Sequence, residues 1–511
     1  MLNLWRGFLF IIGKIEQKIS VICYFCVVLF FNTDMRKRLA IIVALIAAFL
    51  VAVASLRWKI LLLLPVLGIV VAVVLVPLRW KVWFYNPAES AYITPAVPSR
   101  VLLTFGDEDG NCSRNVSWVC DSVLHESYLT LKDNNDGKIE KITAAGECFR
   151  SRSGISAFYH AKLRHLMPGH CYSYSVTTDG VSSEWYSFKV SEGKKSENSF
   201  VFVGDVQDSI NGVANKFLRN AFKLNPDADF LVCGGDLTER PKNDFWNETF
   251  STLDSLGQSM PVLSIAGNHD YLKEPICKLE KRFDLTHSYF LDSKVGDEHV
   301  FTVKYGNMQI FCLDSNREFF FLHNQSDWLE LQLKKSDAKW KVVVIHHPLY
   351  SIRGEFNNLF QRLAFDDLIR ENGVDLVLQG HEHAYARMTN HDDDGIPITP
   401  IYTVSHCSPK NYDIVFDEKF DKFGSQSRYY QKVRTNGDSL FVSAYDAYSN
   451  ALYDSVVIVK NCLKPSVLDY GKNILESINY DPKKHRKKDI AFQKRIEGYK
   501  QKHPERFGLK K

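Results

Sequence analysis

The sequence predicts an α/β domain of layered sheets, preceded by a small all-β sandwich and by two membrane-spanning helices. Three observations predict this order. Two uniformly apolar runs lie before residue 85, short alternating segments fill residues 95–191, and apolar runs alternate with helical-looking segments between residues 200 and 459. With 511 residues, the chain is long enough for two or three folded units.

The N-terminal region, residues 35–85, carries the two apolar runs, Leu39–Leu56 and Ile60–Leu78. Each run is about long enough to cross a bilayer as a helix. Each is followed by Arg-Trp-Lys, which pairs an interfacial aromatic with cations that reach lipid headgroups. We therefore predict two transmembrane helices with the lipid bilayer as a partner, and two buried core helices are the alternative.

The orientation of these helices stays open. Met35 begins a basic Met-Arg-Lys-Arg segment that resembles a translation start, which leaves residues 1–34 as a candidate upstream extension. If the first run is a signal peptide cleaved after the small tripeptide 52–54, the soluble part is exported. An uncleaved hairpin would instead keep the soluble part cytoplasmic. We favour a membrane protein whose soluble part is extracytoplasmic.

Residues 93–193 show short alternating stretches separated by turns and glycines, which is typical of a small antiparallel β-sandwich. The turn Leu166-Met167-Pro168-Gly169 precedes an alternating tyrosine strand, and this pattern resembles a fibronectin type III domain. Four cysteines in this segment form either two disulfides or reduced thiols: Cys112, Cys120, Cys148 and Cys171.

Residues 198–461 alternate apolar runs with helical-looking segments at Val213–Leu224, Gln325–Lys335 and Asn358–Glu371. This alternation predicts a layered α/β domain, in which ligands bind beyond the carboxyl ends of the strands. Residues 462–511 form a basic tail, which we predict to be a solvated amphipathic helix, with nucleic-acid or anionic-lipid contact as the alternative. The net charge of +4 predicts no dominant polyanion partner for the whole chain, and no specific nucleic acid.

Five apolar runs in this domain each stop at residues that can bind metal ions. They are SFVFVGDVQD, DFLVCGGDLTE, VLSIAGNHDY, KVVVIHHPLY and VDLVLQGHEHAY. Each run predicts a buried strand that delivers its last residues to one edge of a sheet. The residues delivered are oxygen and imidazole donors: Asp205, Gln207, Asp236, Asn268, His269, Asp270, His346, His347, His381 and His383. This donor set suits Mn, Fe or Zn, and no cysteine joins it.

Any one of these motifs alone is weak evidence, because Gly-Asp after a strand is more often a turn than a ligand. The five together, in the order GD, GD, GNHD, H and GHxH, resemble the calcineurin-like metallophosphoesterases. With the sandwich in front, the chain is similar to the purple acid phosphatases. The resemblance implies a layered β-sandwich domain flanked by helices, and a metal-dependent hydrolase of phosphoric esters.

The resemblance assigns six of these residues as ligands of two metal ions, whose identity as Mn, Fe or Zn stays open. Asp236 bridges both ions. The first ion is then held by Asp205 and His383, and the second by Asn268, His346 and His381. Gln207 is the seventh ligand, added to the first ion at a position where the family usually has histidine.

The resemblance also implies a mechanism. Asn268 and His269 bind the phosphate ester, His269 protonates the leaving group as general acid, and Asp270 orients His269. Two divalent ions sharing a water lower its pKa, so the expected reaction is attack of the bridging hydroxide on a phosphate monoester or diester.

Two positions depart from the family pattern. Purple acid phosphatases have tyrosine three residues after the bridging aspartate, where this chain has Glu239, so no purple colour is expected. Common phosphoesterases have histidine two residues after the first aspartate, where this chain has Gln207. An amide oxygen still coordinates metal ions, and we expect the first ion to be held more weakly.

Two other functions stay open. One is a non-catalytic membrane receptor or scaffold that retains the fold, and the other is a nuclease aided by the basic tail. Arg353 is a candidate phosphate contact in a loop between the motifs. His406 follows a strand-like segment but is left out of the ligand set. The sequence does not determine the oligomeric state.

Overall fold

The computed structural model describes residues 84–509, apart from residues 193–196, 275, 277, 290–294, 296–298, 462–464, 479 and 481–486, with isolated residues between 65 and 80. The candidate extension 1–34, the run Leu39–Leu56 and most of Ile60–Leu78 lie outside the described residues. No helix in the described part of the chain is both long and apolar enough to span a membrane. The two transmembrane helices therefore stay a prediction.

The chain divides into two compact units, one of Met1–Asn86 with Lys273–Pro275 and one of Pro87–Leu272 with Ile276–Lys511. The second unit contains both the predicted sandwich and the predicted α/β domain. Strand packing explains why they form one unit, because Leu102 of the sandwich belongs to the same hydrophobic cluster as Val201 and Trp246 of the α/β domain.

The sandwich consists of two antiparallel sheets. Its strands are β1 (Ser99–Thr104), β2 (Arg114–Val119), β3 (Ser127–Asp133), β4 (Ile139–Thr143), β5 (Ala145–Arg150), β6 (Ile155–Leu163), β7 (Cys171–Thr178), β8 (Val181–Ser182) and β9 (Tyr186–Lys189). One sheet has the order β1-β2-β6-β5, and the other has β4-β3-β7-β8 with β9 beside β7. Trp118 stacks on Tyr159 between the sheets, with ring centroids 5.7 Å apart. The fibronectin type III assignment itself stays a prediction.

The four cysteines of the sandwich are free thiols. The disulfide alternative is therefore not the state that the structure shows. Cys120 directly follows β2 and is buried, whereas Cys148 on β5 and Cys171 on β7 are exposed.

The α/β domain contains two sheets of seven strands each and a short hairpin. Its strands are β10 (Ser199–Val203), β11 (Phe230–Cys233), β12 (Val262–Ser264), β13 (Tyr271–Leu272), β14 (Lys278–Leu279), β15 (Phe301–Tyr305), β16 (Met308–Leu313), β17 (Trp340–Ile345), β18 (Leu376–Gln379), β19 (Tyr385–His391), β20 (Pro397–Val404), β21 (Lys422–Gly424), β22 (Tyr429–Asn436), β23 (Ser439–Asp446), β24 (Leu452–Val459) and β25 (Ser466–Asp469). One sheet has the order β12-β11-β10-β22-β23-β24-β25, and the other has β15-β16-β17-β18-β20-β19-β21.

Helices flank the two sheets, and one of them packs Leu285 against Val119 and Phe158 of the sandwich. They are α1 (Ala214–Leu224), α2 (Asn243–Leu253), α3 (Lys281–His287), α4 (Phe319–Lys335), α5 (Leu359–Glu371) and α6 (Lys487–Lys502), with 3₁₀ turns at Gly471–Asn473 and Pro504–Phe507. Phe217 of α1 packs on the first sheet and Phe365 of α5 on the second, while Phe200 and Val342 meet in the core between the sheets. The predicted layered architecture, two sheets enclosed by helices, is confirmed.

The predicted boundary at residue 461 is wrong. Strand β25 continues the first sheet, where Val456 pairs with Asp469 in antiparallel register. Helix α6 is more than a solvated tail, because Phe492, Ile496 and Tyr499 are buried in the cluster that also contains Phe423. These apolar residues are four and three positions apart and share one face of the helix. The prediction of a solvated tail relied on the high content of basic residues and overlooked this apolar face.

Candidate metal centre

Five strand ends meet at one edge of the two packed sheets. In the first sheet, β10, β11 and β12 run parallel, with Val203 beside Cys233 and Cys233 beside Ser264. In the second sheet, β17 and β18 run parallel and Ile345 is beside Gln379. Because the carboxyl ends of parallel strands lie at the same edge, the loops that follow them converge, as the sequence predicts.

The chain leaves these strands in the left-handed backbone region. Asp205, Asp236, His381 and His383 have φ values of 47°, 54°, 71° and 43°. Non-glycine residues in this region are strained by about 1–2 kcal/mol each and are concentrated at functional sites. Gly267 is required by close packing, because a Cβ at this position would overlap the backbone nitrogen and Oδ1 of Asp236.

Asp205, Asp236 and His346 form the centre of the cluster. All three are buried, and one ligand atom from each lies within 4.8 Å of the others. Nε2 of His346 is 3.4 Å from Oδ1 of Asp236, and Nε2 of His383 is 3.5 Å from Oδ1 of Asp205. Burial raises the pKa of Asp236, but His346 and His269 oppose this effect and hold the pKa below its usual value.

Asn268 joins the histidines of two other loops. Its Oδ1 lies 3.2 Å from Nε2 of His346 and 2.8 Å from Nδ1 of His381. The other ring nitrogen of His346, Nδ1, donates to the carbonyl of Gly234 at 2.8 Å. That bond fixes the tautomer in which Nε2 faces the carboxylates with its lone pair, as a metal-binding imidazole requires.

The side chain of Gln207 contacts both Asp236 and His383. Its amide nitrogen is 2.9 Å from Oδ2 of Asp236 and 3.3 Å from Nε2 of His383, whereas its buried Oε1 has no hydrogen-bond partner. The two ends of an amide have nearly the same shape, so a half-turn of the side chain presents Oε1 to Asp236 and His383 instead. In that orientation Gln207 would offer an oxygen donor to a cation.

The residues present fit a pair of cations. Two buried carboxylates are costly without compensating charge, and Oδ1 of Asp205 also has no hydrogen-bond partner. Oxygen and imidazole donors that face one another at 3 to 3.5 Å match the preferences of Mn, Fe and Zn, which agrees with the predicted cofactor. The assignment of the seven residues to individual ions stays a prediction.

His269 lies at the rim of the cluster and is partly exposed. Its Nδ1 donates to the carbonyl oxygen of Glu239 at 2.6 Å, and its backbone N–H donates to Oδ1 of Asp236 at 2.8 Å. The first bond leaves Nε2 as the ring nitrogen that is free of the Glu239 carbonyl, and the second ties the backbone of His269 to the aspartate at the centre.

The predicted orientation of His269 by Asp270 is not what the structure shows. Asp270 is fully buried and accepts hydrogen bonds from the backbone N–H groups of Gly267, Leu237 and Thr238, at 2.9, 3.2 and 3.2 Å, and from the Thr238 hydroxyl at 3.1 Å. Asp270 therefore joins the loops after β11 and β12. The sequence pattern missed this because adjacent residues on a tight turn point in different directions.

Glu239, at the position where purple acid phosphatases have tyrosine, makes an ion pair with Lys410. Nζ of Lys410 is 2.7 and 2.6 Å from the two carboxylate oxygens. Glu239 thus contributes its carbonyl to His269 and its carboxylate to Lys410.

Four further residues border the cluster, and the motifs did not identify them. The ring of Tyr412 lies 4.5 Å from that of His383, and the guanidinium of Arg353 lies 4.3 Å from the Tyr412 centroid. His406 stacks on His383 at 5.6 Å and is completely buried. Glu382 accepts from the backbone of Ile352 at 2.6 Å, and burial raises its pKa to about 7. Two of the four carried a sequence signal, Arg353 as a cation between motifs and His406 as the residue after a strand-like segment.

His347 faces away from the carboxylates. Its Nδ1 is 2.9 Å from Oγ of Ser315, and its ring lies 4.2 Å from that of His381. Burial and the neighbouring His346 lower the pKa of His347 to about 3, so its imidazole is neutral at physiological pH. His347 supports the position of His381.

The chain was compared with known families and curated proteins. Residues 199–385 match the family model described as calcineurin-like phosphoesterase. Probable purple acid phosphatase 20 of Arabidopsis thaliana is 25% identical over 335 residues, which cover 60% of this chain and 73% of that protein. Purple acid phosphatase 17 of the same plant is 26% identical over 291 residues, covering 50% of this chain and 82% of that protein.

Solved structures share the fold. Purple acid phosphatase PPD1 from yellow lupin (Lupinus luteus) seeds superimposes with a TM-score of 0.61 at 16% identity, covering 72% of this chain and 75% of that one. PhoD superimposes with a TM-score of 0.55 at 14% identity, covering 81% of this chain and 99% of that one. At these identities the likeness establishes the fold alone.

Proposed function

We propose that this chain, a metal-dependent phosphoric ester hydrolase of the calcineurin-like phosphoesterase superfamily, cleaves a phosphate monoester or diester at the cluster of Asp205, Asp236 and His346. One observation carries the proposal, which is that five separate strand ends bring carboxylate, amide and imidazole donors into one cluster around the buried Asp205, Asp236 and His346. The names of the relatives, purple acid phosphatases, support phosphatase activity for this chain as well.

The ligands that we propose are seven: Asp205, Gln207, Asp236, Asn268, His346, His381 and His383. When bound, two metal ions supply a hydroxide nucleophile near neutral pH and neutralise charge on the phosphoryl oxygens. Only two of these ligands are carboxylates, so the loaded site is net positive and attracts a phosphate anion.

His269 delivers the proton to the leaving group. Donation from its Nδ1 to the Glu239 carbonyl orients the ring so that Nε2–H of the protonated imidazole faces outward. General acids of this kind contribute roughly 10²- to 10⁴-fold to the rate. Because the backbone of His269 is bonded to Asp236, the acid and the centre of the cluster keep a constant separation.

We also propose that the apolar runs Leu39–Leu56 and Ile60–Leu78 anchor the chain in a membrane, with the catalytic domain on the extracytoplasmic side. Their length and the flanking Arg-Trp-Lys tripeptides support this proposal. The test is fractionation followed by protease treatment of intact cells. The protein should stay in the membrane pellet after a carbonate wash and be digested from outside; a protein washed off by carbonate would refute the anchor.

Activity is tested with the full chain loaded with Mn, Zn or Fe, using p-nitrophenyl phosphate and bis(p-nitrophenyl) phosphate to separate monoesterase from diesterase activity. Asp236→Asn should remove both the bound metal, measured by elemental analysis, and turnover, because it removes the bridging charge. Asp393→Asn, an exposed aspartate in a loop, is the matched control and should change neither.

Two results would reject phosphoester hydrolysis. A wild-type protein that holds fewer than about one metal ion per chain and shows no turnover would favour the receptor or scaffold function. An Asp236→Asn variant that retains full turnover would show that the reaction occurs elsewhere in the chain.

A further inference from the structure

A stripe of exposed apolar side chains lies at the start of α5, whose neighbouring residues connect to the candidate metal centre. It consists of Phe356, Phe360 and Leu363, whose exposed fractions are 84%, 58% and 67%. The three are four and three positions apart, and Phe360 and Leu363 lie on one face of the first turns of α5. Single exposed apolar residues are ordinary on protein surfaces, but large ones grouped beside a binding site indicate a function.

Two chains of contacts connect this stripe to the metal centre. Asn358, which precedes α5, donates to Glu382 at 3.4 Å, and Glu382 stands between His381 and His383 in the sequence. Gln361, between two residues of the stripe, donates to the carbonyl of Ser315 at 3.0 Å. The hydroxyl of Ser315 is 2.9 Å from His347, whose ring packs against His381 at 4.2 Å.

The apolar exposure is confined to the end of α5 that is next to the centre. Further along the helix the exposed positions are polar, namely Asp367, Arg370 and Glu371. A helix whose outer face contacts only water typically exposes polar residues along that whole face. The change of character along α5 therefore points to a ligand group that extends from the metal centre over the first turns of the helix.

The charges around the stripe favour an anionic head and an apolar tail. Residues 353–363 contain two arginines, Arg353 and Arg362, and one acid, Glu355. The guanidinium of Arg353 lies over Tyr412, which in turn packs on His383. A cation three residues before Phe356 is thus connected through Tyr412 to His383 of the candidate metal centre.

We infer that the substrate is an amphiphilic phosphate ester, whose phosphate binds the metal centre and whose alkyl or acyl chain lies on Phe356, Phe360 and Leu363. This inference rests on the proposed phosphoesterase function and adds the chemical class of the leaving group. The bond that breaks is the P–O bond to the alkoxide, water is consumed, and an alcohol with its hydrocarbon chain is released.

The experiment compares butyl, octyl and dodecyl phosphate, each below its critical micelle concentration, as substrates of the metal-loaded full chain. Each methylene taken out of water contributes up to about 4-fold in affinity, and partial coverage by an open stripe should raise kcat/KM roughly 10-fold from butyl to octyl. The variant Phe356→Ser, Phe360→Ser, Leu363→Ser should lose this dependence on chain length while it hydrolyses butyl phosphate as the wild type does.

The matched control carries serine at three exposed apolar positions of the β-sandwich: Ile139, Met167 and Val181. It should keep the wild-type dependence on chain length. Binding of the corresponding alkylphosphonates, which have no ester bond to cleave, is measured by calorimetry as a readout independent of turnover. The dissociation constant should fall with chain length in the wild type and the control, and stay constant in the stripe variant.

The outcomes separate this inference from the function on which it rests. Equal kcat/KM for all three esters in the wild type would overturn the amphiphilic substrate and leave phosphoester hydrolysis intact. A stripe variant whose kcat/KM falls equally for butyl and dodecyl phosphate would also overturn the amphiphilic substrate, because that result indicates a structural role for the stripe. A protein that hydrolyses none of the esters and binds none of the phosphonates would overturn both.

Discussion

Replacing Asp270 by asparagine distinguishes the role that the structure gives this residue from the role that the motif implies. In the structure its carboxylate accepts four hydrogen bonds, three of them from the backbone of the loops that carry Asp236 and Asn268. Asparagine keeps one acceptor oxygen and presents an NH₂ group to two of the backbone donors. Those N–H groups of Gly267 and Leu237 are then buried without partners.

The expected loss of stability is about 2 kcal/mol. Two buried donors without partners cost roughly 1–3 kcal/mol each. Part of this cost is offset, because burial and the neighbouring Asp236 raise the pKa of Asp270 to about 7, so asparagine removes an unfavourable buried charge. Since the two loops carry metal ligands, we also expect metal affinity to fall roughly 10- to 100-fold, as for other residues that support ligands.

The assay uses two leaving groups and includes His269→Ala. Alkyl phosphates need a proton on the departing oxygen, whereas p-nitrophenolate leaves readily without one. His269→Ala should therefore lose roughly 10²- to 10⁴-fold on the alkyl ester and far less on p-nitrophenyl phosphate. Asp270→Asn should lose activity on both substrates equally and recover on both when the metal concentration is raised. Unfolding free energy is measured by chemical denaturation.

One result would refute this reasoning. If Asp270→Asn, saturated with metal and as stable as the wild type, lost activity only on the alkyl ester, then Asp270 would act through His269. The hydrogen bonds that the structure gives to Asp270 would then be of secondary importance in solution.

Three other predictions follow from named contacts. Gln207→His should raise metal retention against a chelator about 10-fold, because imidazole is a stronger ligand than an amide. The amide nitrogen of Gln207 is 2.9 Å from Oδ2 of Asp236, so a ligand at this position can reach the centre. Equal retention in the variant and the wild type would exclude Gln207 from the ligand set. Burial and a neighbouring histidine lower the pKa of His287 to about 3, so between pH 6.5 and 3 the unfolded chain binds a proton that the folded chain does not. Unfolding free energy should therefore fall by about 2 kcal/mol more in the wild type than in His287→Gln from pH 7 to pH 5, and parallel curves would show that His287 is protonated in the fold. Arg387→Met should cost about 3–5 kcal/mol in a denaturation experiment, because it leaves the buried carboxylate of Asp454, which is 2.7 Å from the guanidinium, without that cation. A loss no larger than that of an exposed ion pair would contradict this reasoning.

The sequence alone determined the parts of this protein that depend on local pattern. Buried parallel strands appear as apolar runs, so the five strand ends and their polar residues could be located before any contact was known. The helical segments Val213–Leu224 and Asn358–Glu371 agree with α1 and α5 to within one residue at each end. Periodicity and strand length are properties of consecutive residues, and they survive folding unchanged.

Tertiary structure decided which side chains face one another. Asp270 accepts its hydrogen bonds from two loops and not from the His269 ring. Tyr412 and Glu382 border the centre, although no motif contains Tyr412 and Glu382 was only the residue between two histidines. The stripe on α5 became visible only when burial distinguished its outer face from its core face. Such contacts depend on the direction of each side chain and on elements far apart in the chain, and local propensity carries no information about either.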